Sequence, residues 1–366
     1  MKVLFRTDAS LQIGSGHVMR CLTLAHTLRQ RGADCRFVCR ALEGNMLERI
    51  RHEGFKVLAL PTDSNSSIEL AADDETLDHA DWLGTRWEVD AEQTIEVVEG
   101  KDSDWLIIDH YALDRAWEEK LRLHTGRIMV IDDLANRNHE CDLLLDQNMF
   151  EDMSVRYQGR LPEKCVQLLG PQYALLQPEY EKLRVKVKLR HQPLKHVLIF
   201  FGGTDKYNLT GLTLNALLNN NISLDKIDIV LSQQNSNYIQ INDLVDHMSN
   251  ITLHSNLSSL APLILNADFA VGAGGATNWE RLCLGLPSIV ISIAENQKPV
   301  SNNLHNMGMI QYIGDAETIR PNDIVSSVKN IMGMDDIHNW SKRCLNICSG
   351  KGVSLVSDAI FKLTHE

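Results

Sequence analysis

The chain has 366 residues, a formal net charge of −12 and an apolar content of 44%, which are values typical of a globular domain protein. At about 150 residues per domain, this length predicts two domains. The acidic balance argues against a non-specific nucleic-acid binder, because such a protein needs a cationic surface. No run of about 18 apolar residues occurs, so we expect no membrane span and take a cytoplasmic location as the default.

The first half of the chain alternates predicted strands and helices. In chain order, the pattern predicts a strand at 2–7, a helix at 17–31, a strand at 34–39, a helix at 45–53, and strands at 56–60, 105–109 and 127–132. This alternation is typical of right-handed βαβ units that form a parallel sheet.

A basic segment at 184–195 predicts an exposed connector, after which the alternation starts again. The second half predicts strands at 196–201, 227–231, 251–254, 269–271 and 288–293, and a helix at 209–218. We therefore expect an α/β protein with two Rossmann-like domains, 1–188 and 189–366, whose parallel sheets face each other across a cleft. It stays open whether the last helices pack back on the N-terminal domain.

The eight cysteines are scattered through the chain, which does not suggest a disulfide scaffold. The closest pair in the first half, Cys35 and Cys39, falls on a predicted strand. Residues four apart on a strand are separated by roughly 13 Å, which is too far for both to bind one metal ion. We therefore expect buried thiols and no metal site.

Three glycine-rich turns precede predicted helices, and each is a candidate phosphate site. Helix N-termini offer free N–H groups, and glycine lets a phosphate approach the backbone. The third turn, which contains Gly274 and Gly275, leads to Glu280. This acid is placed to reach the ribose hydroxyls of a bound nucleotide. The alternative is an ordinary βα turn with a favourable acid in the first helical turn. The expected contacts from these turns are Gly14, Ser15, Gly16, Gly203, Thr204, Gly274, Gly275, Ala276, Thr277, Glu280 and Gln297.

His17 opens the helix that follows the first glycine turn. The helix dipole disfavours an imidazolium there, so we expect a neutral ring near pH 7. A neutral imidazole beside a bound phosphosugar is able to take a proton from water. The alternative for an isolated histidine at this place is a capping or packing role.

The motifs around these residues resemble a known enzyme family. The chain is similar to the UDP-2,4-diacetamido-2,4,6-trideoxy-β-L-altropyranose hydrolases of pseudaminic acid synthesis. The similar motifs are at residues 6–9, 13–21, 23–25, 82–84, 109–111, 131–137, 146–148, 169–176, 201–205 and 274–297. A looser resemblance is to the lipid-linked UDP-N-acetylglucosamine transferases of peptidoglycan synthesis, which share the two-domain GT-B fold. Residues 61–104 and the C-terminus look longer than in compact family members.

The resemblance implies a hydrolase without metal or cofactor. By this resemblance, water is expected to attack the anomeric carbon, so that the C1–O bond breaks with inversion and UDP leaves. The resemblance further implies that the free sugar serves nonulosonic acid synthesis for surface polysaccharide or flagellin glycosylation. His17 matches the proton acceptor, and Gly14 and Gly16 match the diphosphate loop. Thr277, Asn278 and Glu280 match the nucleotide-binding stretch, and Asp8 belongs to the same expected binding set.

Six further residues are weaker candidates. For Asp109, His110 and Asp205, the alternative to a role in the site is capping at a strand end. For Tyr111, Asn148 and Tyr173, a sugar contact competes with a place in the core. All six lie in the motifs that carry the resemblance.

Other functions stay open. A glycosyltransferase of the same fold would need an acceptor site, a nucleotide-sugar binding protein would need no His17, and a hydrolysing UDP-sugar 2-epimerase would normally need several acidic groups. The expected partner is a UDP-sugar and not nucleic acid, with a monomer favoured, and the stereochemistry of the sugar is undetermined.

The acidity is local. Thirteen acidic residues and two basic ones lie between residues 69 and 104, so the rest of the chain is nearly neutral. We interpret this segment as a solvated helical face or loop that points away from a bound diphosphate.

Overall fold

A computed structural model describes residues 1–62, 77–98 and 103–365. These residues form two compact units. The first comprises Met1–Asn148, Asp152–Leu175 and the C-terminal residues from Gly352, and the second comprises Met149–Glu151 and Leu176–Lys351. The chain therefore leaves the first unit near residue 175, whereas the sequence places the boundary at 188.

The helices and strands follow the predicted alternation. In the described residues, the strands are β1 (Lys2–Thr7), β2 (Asp34–Arg40), β3 (Lys56–Leu60), β4 (Ser103–Asp109), β5 (Thr125–Ile131), β6 (Leu143–Asp146), β7 (Val166–Leu169), β8 (His196–Phe200), β9 (Lys226–Val230), β10 (Ile251–His254), β11 (Phe269–Ala273), β12 (Ser288–Ser292) and β13 (Gln311–Asp315).

The helices are mostly short. They are α1 (Gly16–Gln30), α2 (Leu47–His52), α3 (Trp87–Val98), α4 (Arg115–Leu121), α5 (Pro178–Arg184), α6 (Leu209–Asn219), α7 (Tyr238–Val245), α8 (Ala261–Asn266), α9 (Thr277–Cys283), α10 (Gln297–Asn306), α11 (Pro321–Met332), α12 (Ile337–Leu345) and α13 (Gly352–Thr364). One-turn 3₁₀ helices add Ala80–Leu83, Arg122–His124 and Pro171–Tyr173. Among the described helices, none is long and apolar enough to cross a membrane.

Each unit contains one parallel sheet, as the sequence predicts. The described strands pair in the order β3-β2-β1-β4-β5-β6-β7 in the first unit and β10-β9-β8-β11-β12-β13 in the second. All strands predicted from the sequence are present. The strands β6, β7 and β13, each only four or five residues long, were not anticipated. Of these, β7 and β13 lie at sheet edges.

The strand order reverses at one place in each sheet, between β1 and β4 and between β8 and β11. In the first sheet Thr7 pairs with Asp109, and in the second Phe200 pairs with Gly272, all near the carboxyl ends of their strands. Ligands of open parallel sheets bind beside the carboxyl ends at such a reversal. Both reversals carry glycine turns that the sequence singles out.

The core of the first unit lies on both faces of its sheet. Because successive side chains of a strand point to opposite faces, Val3 and Phe5 pack in one apolar cluster and Leu4 in the other. The Phe5 cluster also contains Val353, Val356 and Ile360 of α13. The last helix therefore belongs to the first unit, whereas α11 and α12 belong to the second.

The predicted solvated character of segment 69–104 is wrong for one of its acids. Asp90 of α3 has no exposed surface and forms ion pairs with Arg6 and Arg40, at 2.6 and 2.7 Å. The guanidinium groups of Arg6 and Arg40 are buried, and a buried charge is costly unless an opposite charge pairs with it. This pairing explains why the side chain of Asp90 is buried. The acidic residues at 69–76 and 99–102 lie outside the described residues.

The predicted exposed connector at 184–195 is also wrong in one respect. Arg190 is buried, and its guanidinium donates to the carbonyls of Leu284 at 2.5 Å and Ile264 at 2.8 Å. These carbonyls lie at or near the ends of α9 and α8, where carbonyl groups lack partners within the helix. Burial lowers the pKa of Arg190 to about 10.

Candidate functional site

The first glycine turn leads from β1 to α1 and leaves the N-terminus of that helix uncapped. Gly14 has a φ of +77°, and its N–H bonds the carbonyl of Ser10 at 2.9 Å. Ser15 is the N-cap residue but its side chain makes no capping bond, and the first turn of α1 contains no acid. A Cβ atom added at Gly14 or Gly16 would meet no atom of the structure within 4 Å. The turn therefore has room beside its backbone for an anionic ligand.

His17 follows this turn and is held by Asp109. Its Nδ1 lies 2.6 Å from Oδ1 of Asp109, a residue at the end of the neighbouring strand β4. A carboxylate only accepts hydrogen bonds, so Nδ1 carries the proton and Nε2 is the basic nitrogen. No partner of Nε2 occurs among the described residues, and the side chain of His17 keeps 9% of its surface exposed. The ring is thus oriented to accept a proton at Nε2.

Arg20 fixes the other side of the carboxylate. Its Nε and Nη2 each lie 2.6 Å from an oxygen of Asp109, and its Nη1 lies 3.1 Å from Asp133. Burial alone would raise the pKa of the Asp109 carboxyl, but Arg20 and His17 together hold it well below its usual range. Asp109 therefore stays ionised beside His17 across the physiological pH range.

The capping interpretation of Asp109 is wrong, since its carboxylate binds His17 and Arg20. Arg20 and Asp133 were missed. The signal for Arg20 was its spacing, because residues three apart on a helix lie on the same face and His17 was already a candidate. Asp133 follows a buried strand whose neighbours in the sheet could not be known from one sequence.

His110 and Asp8 belong to a buried charge network behind this site. Asp8 has no exposed surface; it accepts from the backbone N–H of Arg40 at 2.6 Å and pairs with Arg6 at 2.7 Å. His110 Nε2 lies 3.3 Å from Asp8, and burial lowers the pKa of His110. Direct contact of Asp8 with a ligand does not fit this burial, so the network supports the ends of β1 and β4.

Tyr111 lies against His17. The two rings meet edge to face, with centroids 4.7 Å apart, and Tyr111 is 4% exposed. Trp82 stacks on Tyr111 at 5.4 Å, and His79 contacts both rings edge-on. Tyr111 is therefore both a buried residue and a wall of the His17 site, and the roles of Trp82 and His79 were missed by the sequence analysis.

Asn148 and Tyr173 lie elsewhere in the first unit. The backbone N–H of Asn148 donates to Asp146 at 2.9 Å, in the turn after β6. Tyr173 packs on the apolar cluster that contains Phe5. The core interpretation thus fits Tyr173, while neither residue contacts His17.

In the second unit, the turn after β8 contains Gly202, Gly203 and Thr204. Gly202 has a φ of +90°, and a Cβ at either glycine would meet no atom within 4 Å. Asp205 follows, and its carboxylate accepts from the N–H groups of Leu209 and Thr210, each at 2.9 Å. Asp205 therefore stabilises the start of α6 beside the N-cap residue Asn208, which differs from the strand-end capping considered for it.

The turn after β11 is covered by Gln297. Gly275 has a φ of +86°, and a Cβ on Gly274 would lie 3.1 Å from the side-chain oxygen of Gln297. That oxygen accepts from the N–H of Ile293 at 3.0 Å. Gln297 is thus positioned beside the turn that leads through Ala276 and Thr277 into α9, and larger residues than glycine would crowd it.

Glu280 lies on α9 next to the phenol of Tyr180. Burial raises the pKa of Glu280 to about 7, with Tyr180 and Arg281 acting in the opposite direction. Its Oε2 is buried without a hydrogen-bond partner in the described structure. An unsatisfied buried acceptor is costly to a protein, which makes Glu280 a candidate to receive a donor from a ligand.

Asn278 does not fit a direct ligand contact. It is fully buried, and its side-chain oxygen accepts from Nη2 of Arg281 at 2.6 Å. The same nitrogen donates to the carbonyl of Ala273 at 2.7 Å. Asn278 therefore supports the turn from within the second unit.

Candidate metal ligands are spread over the described part of the chain. Among the described residues, no group of three or more His, Cys, Asp or Glu side chains is arranged to hold a metal ion. Cys35 and Cys39 lie on β2 as buried free thiols, as expected. Independence from metals and cofactors stays a prediction.

The comparisons with known proteins agree with the resemblance in the motifs. No model of a known protein family matches the chain. The chain is 28% identical over 309 residues to the UDP-2,4-diacetamido-2,4,6-trideoxy-β-L-altropyranose hydrolase of Campylobacter jejuni, which covers 84% of this chain and 97% of that protein. The resemblance is thus confirmed along most of the chain.

Solved structures confirm the fold. MurG of Acinetobacter baumannii matches with a TM-score of 0.65 and 13% identity, covering 99% of both chains. The UDP-GlcNAc 2-epimerase of Neisseria meningitidis matches with a TM-score of 0.56 and 14% identity, covering 99% of this chain and all of that one. The chain therefore has two parallel-sheet α/β domains of the GT-B type, and at such identities the likeness concerns the fold alone.

Proposed function

We propose that this protein is a nucleotide-sugar hydrolase that converts UDP-2,4-diacetamido-2,4,6-trideoxy-β-L-altrose and water into UDP and the free sugar for pseudaminic acid synthesis. The observation that carries the proposal is the His17–Asp109 pair beside an open glycine turn, at the strand reversal of the first sheet. The similarity to the Campylobacter jejuni hydrolase supports the substrate.

In the proposed reaction, a water molecule attacks C1 of the sugar on the face opposite UDP. Nε2 of His17 accepts the proton of this water, while the bond from water oxygen to C1 forms. The bond from C1 to the phosphate oxygen breaks, its electron pair leaves with UDP, and the configuration at C1 inverts. The transition state resembles an oxocarbenium ion, as in glycoside hydrolysis.

Asp109 makes His17 a competent base. Its carboxylate accepts the Nδ1 proton and stabilises the imidazolium that forms when Nε2 takes a proton. Arg20 keeps this carboxylate ionised and fixed in direction through two bonds of 2.6 Å. The proton then passes from His17 to solvent, which restores the neutral ring.

We assign UDP binding to the glycine turns and to Glu280. Turn N–H groups act on the charge of the departing phosphate, and by analogy with oxyanion holes each well-placed donor contributes about 3–4 kcal/mol. Glu280 accepts from ribose hydroxyls, which its unsatisfied Oε2 supports. UDP is a good leaving group, so no acid and no divalent cation is invoked for its departure.

The experiment is to mix the protein with the UDP-sugar alone and follow the products by proton and phosphorus NMR. The proposal predicts free sugar and UDP in equal amounts, without any acceptor. A glycosyltransferase would release little UDP until an acceptor is added, a 2-epimerase would give the C2 epimer, and a binding protein would leave the substrate intact. Each of these outcomes would reject the hydrolase.

A further inference from the structure

Three rings form an aromatic wall beside His17, consisting of His79, Trp82 and Tyr111. Trp82 and Tyr111 are stacked, with centroids 5.4 Å apart and planes inclined by 30°. His79 meets Trp82 at 4.5 Å and Tyr111 at 5.2 Å, both edge to face. The Trp82 ring lies 6.4 Å from that of His17. The aromatic wall and His17 are therefore close enough for one bound sugar ring to contact both.

The wall is held in place from several sides. Trp82 is on the 3₁₀ helix Ala80–Leu83, whose Leu83 is buried in the apolar cluster around Leu4. The carboxylate of Asp81 accepts from Gln12 in the glycine turn at 2.7 Å. On the other side, Asp78 accepts from Asn136 at 3.1 Å, in the loop after β5. The short helix is thus tied to both loops that border His17.

The two large rings of the wall differ in exposure. Tyr111 is buried, whereas Trp82 is half-buried. No partner of the indole N–H of Trp82 occurs in the part of the chain that the structure describes. Buried tryptophan side chains usually pair their indole N–H with an acceptor. Trp82 instead covers Tyr111 with one face and leaves apolar surface and a donor available.

His79 adds a polar edge to the wall. Burial is the main cause that lowers the pKa of His79, and Arg137 acts in the same direction while Asp78 and Asp81 oppose it. The ring is therefore neutral at physiological pH and offers one donor and one acceptor. An apolar surface with a few neutral polar groups suits an uncharged ligand better than a diphosphate.

We propose that Trp82 determines substrate specificity by packing against the methyl-bearing face of the sugar, so that the aromatic wall is a subsite for hexoses with acetamido or C6 methyl groups. This inference rests on the proposed function, because it places C1 of the same sugar next to His17. Methyl groups of acetamido and 6-deoxy positions are the apolar parts of such a sugar, and burying each on the indole is favourable. A sugar with hydroxyls at these positions gains less.

The test measures binding, so that it does not depend on turnover. Dissociation constants are determined by calorimetry for UDP, for UDP-N-acetylglucosamine and for the UDP-diacetamido-trideoxy sugar, with His17→Asn present throughout to prevent hydrolysis. Trp82→Ala should weaken binding of the trideoxy sugar nucleotide about tenfold, which corresponds to about 1.4 kcal/mol. UDP binding should stay unchanged, and UDP-N-acetylglucosamine should lose less than the trideoxy substrate.

Two variants control for loss of structure. Trp82→Phe keeps an aromatic face and should restore most of the affinity. Trp87→Phe changes the neighbouring tryptophan, which packs on the Leu4 cluster away from His17, and should match the parent. Equal affinity of the Trp82→Ala protein and its parent for the trideoxy sugar nucleotide would overturn the subsite. An intact His17 protein that binds this substrate but releases no free sugar would instead overturn the proposed hydrolase and leave the affinity comparison valid.

Discussion

The two regions assigned to the reaction are built from different chemical groups. Around His17, the functional groups are side chains. An imidazole, a carboxylate and a guanidinium are joined by hydrogen bonds of 2.6 Å. Around Gly274, the turn contains two glycines and is bordered by the side chain of Gln297. Proton transfer needs one titratable atom in a fixed direction, whereas a diphosphate is bound well by several N–H groups. Proton transfer and diphosphate binding therefore require different kinds of residue, side chains with a titratable atom in one case and glycine turns in the other.

The carboxylates of the two regions show the same contrast. Both Asp109 and Glu280 experience burial that raises the pKa, but Asp109 faces Arg20 and its pKa falls well below normal. Glu280 has no such ion pair among the described residues, since the guanidinium of Arg281 bonds Ala273 and Asn278. The pKa of Glu280 therefore rises to about 7. One carboxylate is a permanent anion, and the other is poised to respond to a ligand.

The variant His17→Asn should separate the roles of the two regions most clearly, because it should affect catalysis but not UDP binding. We expect kcat to fall at least about 100-fold, because the base is lost, while the dissociation constant of UDP stays near that of the parent. The matched control is His26→Asn on the same helix, where the ring bonds Glu53 away from the site. Steady-state kinetics and calorimetry give the two numbers, and turnover close to that of the parent would contradict the role of His17.

Asp109→Asn should have the next largest effect. The amide keeps the size but removes the negative charge beside Arg20 and His17, so we expect kcat to fall at least tenfold with little change in UDP affinity. Leaving the buried guanidinium without this partner should also lower the free energy of unfolding by about 3–5 kcal/mol. Asp104→Asn on the same strand, at an exposed position, is the control. An unchanged kcat in a folded variant would show that Asp109 is not needed.

Glu280→Ala should affect only UDP binding, in the region around Gly274. We expect UDP binding to weaken about tenfold, or about 1.4 kcal/mol, because an acceptor for ribose hydroxyls is removed. At saturating substrate, kcat should stay within about twofold, since His17 is untouched. Glu295→Ala removes an exposed acid that pairs with Lys298 and serves as the control. Equal UDP affinity by calorimetry would refute the ribose contact.

A further expected effect is on the free energy of unfolding as a function of pH. The folded-state pKa of Glu280 is about 7 and its ordinary value is 4.5, so the folded protein binds more protons between these values. The contribution of Glu280 to the free energy of unfolding therefore falls as the pH rises from about 4.5 to 7. Glu280→Gln should be more stable than the parent at pH 8, by on the order of 2 kcal/mol, and equal to it near pH 4. Urea unfolding at both pH values checks this, and an equal gain at both would argue against a raised pKa.

The parallel sheets could be read from the sequence because buried parallel strands are continuous apolar runs with clear ends. The strands β6 and β7 were missed because no helix lies between them to continue the alternation of strand and helix. The boundary near Leu175 was missed because α5 packs on α8 and α9, a contact that no local signal encodes.

Within the candidate site, the glycine turns and His17 were visible because their chemistry is local. Asp109 lies 92 residues from His17, and only the pairing of β1 with β4 brings them together. Asn278 and Asp8 entered through the motifs, yet both are buried and support neighbouring residues. Trp82 also lay in a motif, but its contact with Tyr111 depends on a short helix that has no periodic signal.

His17 is proposed to direct water to C1 of a UDP-sugar, and the fate of the water oxygen reports this step. The reaction is run with the UDP-diacetamido-trideoxy sugar in ¹⁸O-labelled water, and the products are examined by mass spectrometry. We predict one labelled oxygen in the free sugar, none in UDP, and a loss of labelling with His17→Asn. Label in the phosphate of UDP, or labelling that is as fast without His17, would contradict the account.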